Sequence, residues 1–227
     1  MKRKKLKLAL VNCPISERSS TPHMGLMCLA AYARDLCPWV EIKIFESLSL
    51  TKIKRFKPDM VGFTSDTMVI AQTIAFAEKL KKLFKIPLII GGVHITSCPQ
   101  TFNKIFDLGV IGEGEFTLVE LLNLYKKDKK FSINKMKEIK GLIFRNKGKL
   151  VFTGKRELIK DLDSLPVPAR DLVPMEEVYL KNQVNLYGVK RNAVVMTSRG
   201  CPYHCIYCGS PVQWGSVRVH SPEYIVK

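Results

Sequence analysis

An α/β fold with a doubly wound parallel sheet is predicted for residues 6–126. Three observations predict it. Short apolar runs with β character recur along this stretch, and helix-length amphipathic segments separate them. The runs end in small, polar or glycine residues. Strands alternating with helices build parallel sheets covered on both faces.

The elements follow in order. LKLALVN (6–12) is a first buried strand behind a basic tail. Thr21 and Pro22 are placed to cap and open a helix running to about Cys37. VEIKIFE (40–46) alternates as a strand does, and DMVGFTS (59–65) is a buried run with a polar end. Residues 68–85 read as a helix with Ile70, Ile74, Ala77, Leu80 and Leu83 on one face. PLIIGG (87–92) is a buried strand stopped by glycines, and LGVIGEGE (108–115) is a short strand entering a glycine turn. Phe116 to about Lys126 forms a helix with Leu118, Leu121, Leu122 and Tyr125 inward.

Residues 6–130 are assigned to this first domain and residues 131–190 to a linker. GLIFRNKGKLVFT (141–153) predicts a hairpin around Asn146–Gly148. Pro166, Pro168 and Pro174 prevent a long helix in LDSLPVPARDLVP. NAVVMTS (192–198) is expected to be a new buried strand opening a second unit, 191–227. Thirty residues follow Thr197, so this second unit is expected to be incomplete.

Composition narrows the functional classes. Hydrophobic residues make up 46% of the 227, ample for a core. No apolar run approaches the ~20 residues that span a bilayer. The net charge of +17 is concentrated: residues 1–7 and 125–160 carry most of it. With no recognition helix and no aromatic-interleaved basic stripe, these read as solvated surface, and nucleic-acid binding is disfavoured. The apolar stretch Leu8–Val11 is too short for a signal peptide. A cytoplasmic protein with reduced cysteines is expected.

In doubly wound sheets, ligands bind beyond the carboxyl ends of the strands. Those ends are Asn12–Ser20, Thr64–Thr67, Gly91–Thr96 and Gly112–Glu115. The candidate ligand contacts are Ser65, Thr67, Gly91, Gly92, His94, Gly112, Glu113 and Gly114. Glycine admits close backbone approach, and hydroxyls donate hydrogen bonds. His94 faces the ligand or bonds its own loop; Glu113 and Glu115 line the pocket or favour the helix dipole. Met24 and Met27 read as core or pocket lining.

Cys201, Cys205 and Cys208 are spaced C-x3-C-x2-C. Thiolates suit iron–sulfur clusters, zinc or copper(I). Structural zinc sites normally use four ligands, and only His204 or His220 could complete one here. Three ligands on a four-iron cluster leave one iron open. Cys13, Cys28, Cys37 and Cys98 show no ligand spacing. Arg199, just before the loop, bonds a carbonyl or tunes cluster charge.

TSRGCPYHCIYC resembles the signature of radical S-adenosyl-L-methionine (SAM) enzymes, with Tyr207 as the aromatic residue before the third cysteine. PHMGLMCLAAYARD (22–35), KPDMVGFTS (57–65), IIGGVHIT (89–96), IGEGEFTLVELL (111–122) and LDSLPVPARDL (162–172) are similar to its cobalamin (B12)-binding subgroup. That subgroup includes methyltransferases and anaerobic magnesium-protoporphyrin ester cyclases. The resemblance implies a Rossmann-like cobalamin-binding domain, a linker and the first βα unit of a radical SAM barrel. It implies a [4Fe–4S] cluster on Cys201, Cys205 and Cys208, with Tyr207 beside SAM. The cluster would cleave SAM to a 5′-deoxyadenosyl radical, for methyl transfer or cyclisation at an unactivated carbon of a small-molecule or lipid-like substrate. An electron donor such as flavodoxin or ferredoxin is implied too.

Two departures qualify this. Thr21-Pro22-His23-Met24-Gly25 does not match the D-x-H-x-x-G pattern that supplies a cobalt-ligating His, so the corrin is expected to be held without one. The glycine-rich SAM-binding segments of later barrel strands have no counterpart here, so the chain alone is expected not to turn over. Two alternatives stand beside this reading. One is a non-catalytic cobalamin module with a relic cysteine loop. The other is an RNA-modifying methylthiotransferase-like protein with a second cluster drawing on Cys13, Cys37 or Cys98.

Overall fold

The computed structural model describes residues 5–13, 22–175 and 194–227. The strand β1 (Leu6–Asn12) is followed by α1 (Met24–Leu36), β2 (Val40–Phe45), α2 (Leu50–Phe56) and β3 (Met60–Thr64). Next come α3 (Ile70–Leu83), β4 (Leu88–Gly91), α4 (Val93–Ser97), β5 (Leu108–Val110) and α5 (Glu115–Asp128). A single turn, α6 (Ile133–Met136), leads to the hairpin β6 (Leu142–Asn146) and β7 (Lys149–Phe152). The last described elements are β8 (Ser198–Arg199), α7 (Ser210–Trp214), β9 (Arg218–Val219) and α8 (Pro222–Ile225).

The sheet order is β2-β1-β3-β4-β5-β6-β7. The first five strands are parallel, and β6 and β7 add an antiparallel edge. The chain leaves β1 for one neighbour, β2, and returns to the other side as β3. This reversal opens a crevice at the carboxyl ends of the strands. Period-2 alternation on β1 explains why both faces are covered. Leu6, Leu8 and Leu10 pack with residues of α1 and α5, whereas Ala9 and Val11 pack with residues of α2 and α3.

Local chemistry sets the ends. The hairpin turn is Lys147-Gly148, both at positive φ (48° and 81°), as a two-residue turn between right-twisted strands requires. That hairpin extends the main sheet rather than standing apart in the linker. The helix expected to open at Thr21 begins at Met24, capped by His23; Thr21 itself lies outside the described residues. On α3 the buried positions are Thr73, Phe76, Ala77 and Leu80, while Leu83, the last residue of the helix, is exposed.

The expected buried strand at 192–198 is not found. Residues 192–193 lie outside the described set, and 194–197 have no regular structure, with Val195 half exposed. Only Ser198 and Arg199 form a strand, paired with the two residues of β9. An apolar run is buried as a strand only where a neighbour covers it.

Candidate functional site

A cavity of about 290 Å³ lies at the carboxyl ends of β1, β3, β4 and β5. Asn12, Thr64, Ser65, Gly91, Gly92 and Gly112 line it from the sheet side. Glu113 and Gly114 belong to the same wall. Gly92 (φ 98°) lets the β4 loop pass tightly against the end of β3. A Cβ there would stand 2.7 Å from Thr64 Oγ1 and 2.8 Å from the Ser65 carbonyl oxygen. Gly112 (φ 81°) is the opposite case, since a Cβ there would meet nothing within 4 Å. Glycine is needed at Gly92 for packing and leaves open space at Gly112.

Two predicted contacts are not among the cavity-lining residues. His94 is buried and uses both ring nitrogens within its own neighbourhood. The Thr101 hydroxyl donates to the Cys98 carbonyl (2.7 Å), so it accepts from His94 Nε2–H (2.9 Å). His94 Nδ1 then accepts from the Thr67 hydroxyl (3.1 Å). His94 and Thr67 satisfy each other, and the ring is not turned to a ligand.

His23, absent from the predicted contacts, does line the cavity. Its Nδ1 accepts from the Leu26 backbone N–H (3.2 Å), capping α1. The proton therefore sits on Nε2, 3.5 Å from Thr64 Oγ1. Glu46 holds this corner, accepting from the His23 backbone N–H (3.2 Å) and from Asn12 Nδ2 (3.0 Å). The ring has no spare lone pair for a metal. This cap shows only in the structure, because histidine is not among the usual N-cap residues.

Burial lowers the pKa of both His23 and His94. The unfolded chain therefore binds more protons than the folded one as pH falls through the ordinary imidazole value of about 6.5. Stability is full above that pH and declines below it. The urea midpoint should be lower at pH 5.5 than at pH 7.5, and His94→Gln should shrink that difference. A midpoint with the same pH dependence in the variant contradicts the assignment.

Glu113 has a different role from the one its position in a glycine turn suggests. Its side chain is 3% exposed. Oε1 accepts from Arg199 Nη1 (2.8 Å), and Oε2 accepts from Arg218 Nη1 (2.9 Å) and the Ile159 backbone N–H (2.7 Å). Glu115 Oε1 accepts from Arg199 Nη2 (2.6 Å). Two carboxylates and two guanidiniums thus form a neutral, buried network. Burial opposes the charge on Arg199, but Glu115 and Glu113 outweigh it and raise its pKa. The Glu113 carboxylate is fully engaged, so it offers a ligand only its backbone. The network fixes the start of the cysteine segment to the GEGE loop. Arg199 is thereby assigned to an ion pair, not to a carbonyl.

The cysteine loop is less organised. Cys201 is half-buried, and Cys205 and Cys208 are exposed. Tyr207 is 89% exposed and lies away from the cavity wall. Among the described residues, no three His, Cys, Asp or Glu lie close enough together to hold a metal ion. The donor set matches a soft metal chemically, yet the thiols do not converge. His220 is occupied elsewhere: Nδ1 lies 3.0 Å from Asp163 Oδ1, and the ring stacks on Tyr224. Cys13 and Cys37 are buried at opposite ends of the sheet, at the carboxyl end of β1 and before β2. Cys28 is buried against Glu115, and its thiol is pushed up to about 11, chiefly by burial.

A glycine-lined cavity at the switch point of an open parallel sheet defines a cofactor-binding α/β domain. Comparison with known proteins adds a family resemblance: residues 17–122 match the B12 binding domain family. An uncharacterized methyltransferase of Pyrococcus horikoshii is 33% identical over 91% of this chain and 44% of its own length. The anaerobic magnesium-protoporphyrin IX monomethyl ester cyclase of Cereibacter sphaeroides is 28% identical over 77% of this chain and 28% of its own. The chain thus spans less than half the length of these relatives. Among solved structures, the cobalamin-dependent radical SAM enzyme OxsB with aqua-cobalamin bound shares the fold. Its TM-score is 0.76 at 19% identity, over 97% of this chain and 30% of that one. TsrM from Kitasatospora setae, a radical SAM methyltransferase with cobalamin and a [4Fe–4S] cluster bound, gives 0.67 at 18% identity, over 98% of this chain and 44% of that one. Residues 17–122 thus match the B12 binding domain family, and the chain is similar in sequence to a methyltransferase and to an anaerobic magnesium-protoporphyrin ester cyclase. Among the described residues, no helix is long and apolar enough to cross a membrane.

Proposed function

We propose that the cavity seats the nucleotide tail of cobalamin and that Cys201, Cys205 and Cys208 hold a [4Fe–4S] cluster beside it. The chain is then the cofactor-binding part of a radical SAM enzyme that methylates or cyclises an unactivated carbon. One observation carries this reading. The wall facing the glycine loops comes from the segment that bears the cysteines, through Met196, Gln213 and Trp214. The segment that bears the cysteines therefore borders the cavity, although none of the three cysteines lines it.

The cavity's volume suits a bicyclic base with its sugar rather than a macrocycle, which leaves the corrin outside against the loop edges. Gly91, Gly92 and Gly112 give the tail close access to backbone, and Thr64 and Asn12 supply polar contacts. His23, with Nδ1 accepting and Nε2 protonated, gives cobalt no ligand. When bound, cobalamin supplies a methyl carrier, and the cluster supplies one-electron cleavage of SAM. The chain's own share is to fix the cysteine segment through Arg199 and Arg218 and to shield the cavity. A low-potential protein reductant and a small-molecule or lipid-like substrate complete the system.

The exposed, ungathered thiols favour a second reading, a cobalamin module without catalysis. Anaerobic iron and sulfide reconstitution separates the two. The radical SAM reading expects a paramagnetic cluster on reduction, an altered signal when SAM is added, and loss of both in Cys205→Ala with thermal stability unchanged. Uptake of zinc with refusal of iron contradicts it.

A further inference from the structure

The far wall of the cavity contains a group with no structural reason to be polar. Gln213 lies on α7, only 7% exposed, and lines the cavity. Its Oε1 is shut off from solvent and meets no donor. A buried carbonyl without a partner is unfavourable, and native folds retain few of them. A methionine would fill the same space without that cost.

The backbone beside Gln213 is also anchored. Its neighbour Trp214 gives its backbone carbonyl to Arg218 Nη2 (3.0 Å), and Arg199 lies over the Trp214 ring at 5.5 Å. Both arginines are anchored on Glu113. The α7 backbone that carries Gln213 is therefore tied to the Glu113 network.

We infer that Gln213 is a specificity-determining residue that reads the occupant of this cavity, its side-chain amide hydrogen-bonding a hydroxyl of the bound group. The inference rests on the reading of the cavity as the seat of cobalamin's nucleotide tail, whose ribose carries such hydroxyls. Cobinamide, the corrin without the nucleotide, lacks them.

The test compares hydroxocobalamin and cobinamide binding to the wild-type chain and to Gln213→Met, by spectral titration. The variant should bind hydroxocobalamin about tenfold more weakly, the loss of one buried hydrogen bond, and cobinamide equally well. The ligand-free variant should melt at the wild-type temperature or above, because an orphaned carbonyl has been removed. A purely structural role for Gln213 would lower that melting temperature instead. Unchanged hydroxocobalamin affinity, equal weakening for both corrins, or a less stable ligand-free variant overturns the inference and leaves the cavity assignment standing. A wild-type chain that binds cobinamide as tightly as hydroxocobalamin overturns the cavity assignment and the inference together.

Discussion

Replacing Arg199 by methionine should destabilise the protein by about 3–5 kcal/mol, the cost of leaving a buried charge without its partner. Arg199 is 3% exposed and bridges Glu113 and Glu115, which are 3% and 5% exposed. Methionine fills the volume but leaves Glu115 without its guanidinium and Glu113 with Arg218 alone. The loss should appear first as loosening of the segment from Ser198 to Val219, because Arg199 is one of its two arginine ties to Glu113, Arg218 being the other. Trp214, which Arg199 covers, should then shift its fluorescence to the red before the sheet melts. Adding Glu115→Gln should recover part of the loss, since the double variant no longer buries that charge. Wild-type fluorescence and an unchanged denaturation midpoint in Arg199→Met would contradict the latch.

Gly92→Ala should cost about 2–5 kcal/mol and abolish ligand binding in the cavity. Two effects add. The backbone at φ 98°, ψ −173° lies in a region open essentially to glycine alone. The new Cβ would also press on the Ser65 backbone, with oxygen at 2.8 Å and nitrogen at 2.9 Å, and backbone does not yield as a side-chain tip does. Gly112→Ala is the control. It meets open space and suffers only from its positive φ, so it should cost about 1–2 kcal/mol. Equal stability losses in the two variants would mean that packing at Gly92 is not the constraint.

How much of this was legible before the structure depends on the range of each interaction. The strands β1, β3 and β4 were legible because burial on both faces demands continuous apolar runs. The glycine ends of β4 and β5 marked the cavity floor, because close approach and positive φ select glycine whatever the rest of the fold does. The helix α2 was missed. It has seven residues, and only Ile53 and Phe56 are buried, too few to reveal a period, although Ser49 caps it. The α4 turn was hidden inside a loop reading. Neither sequence spacing nor composition pairs Arg199 with Glu113, 86 positions apart; such partners are set by tertiary packing. His94 illustrates the opposite error. A histidine beside a glycine turn suggests a ligand, yet two threonines satisfy it. Gln213 and Trp214 could not have been named, because a cavity wall supplied by a distant segment leaves no local pattern.

The central claim is that the glycine-lined end of this sheet holds cobalamin. Equilibrium dialysis of the purified chain against hydroxocobalamin, with cobalt counted per chain, tests it most directly. The account predicts about one cobalt retained by the wild-type protein and none by Gly92→Ala under conditions where both are folded. Folded wild-type protein that retains no cobalt and leaves the corrin spectrum unchanged would contradict it.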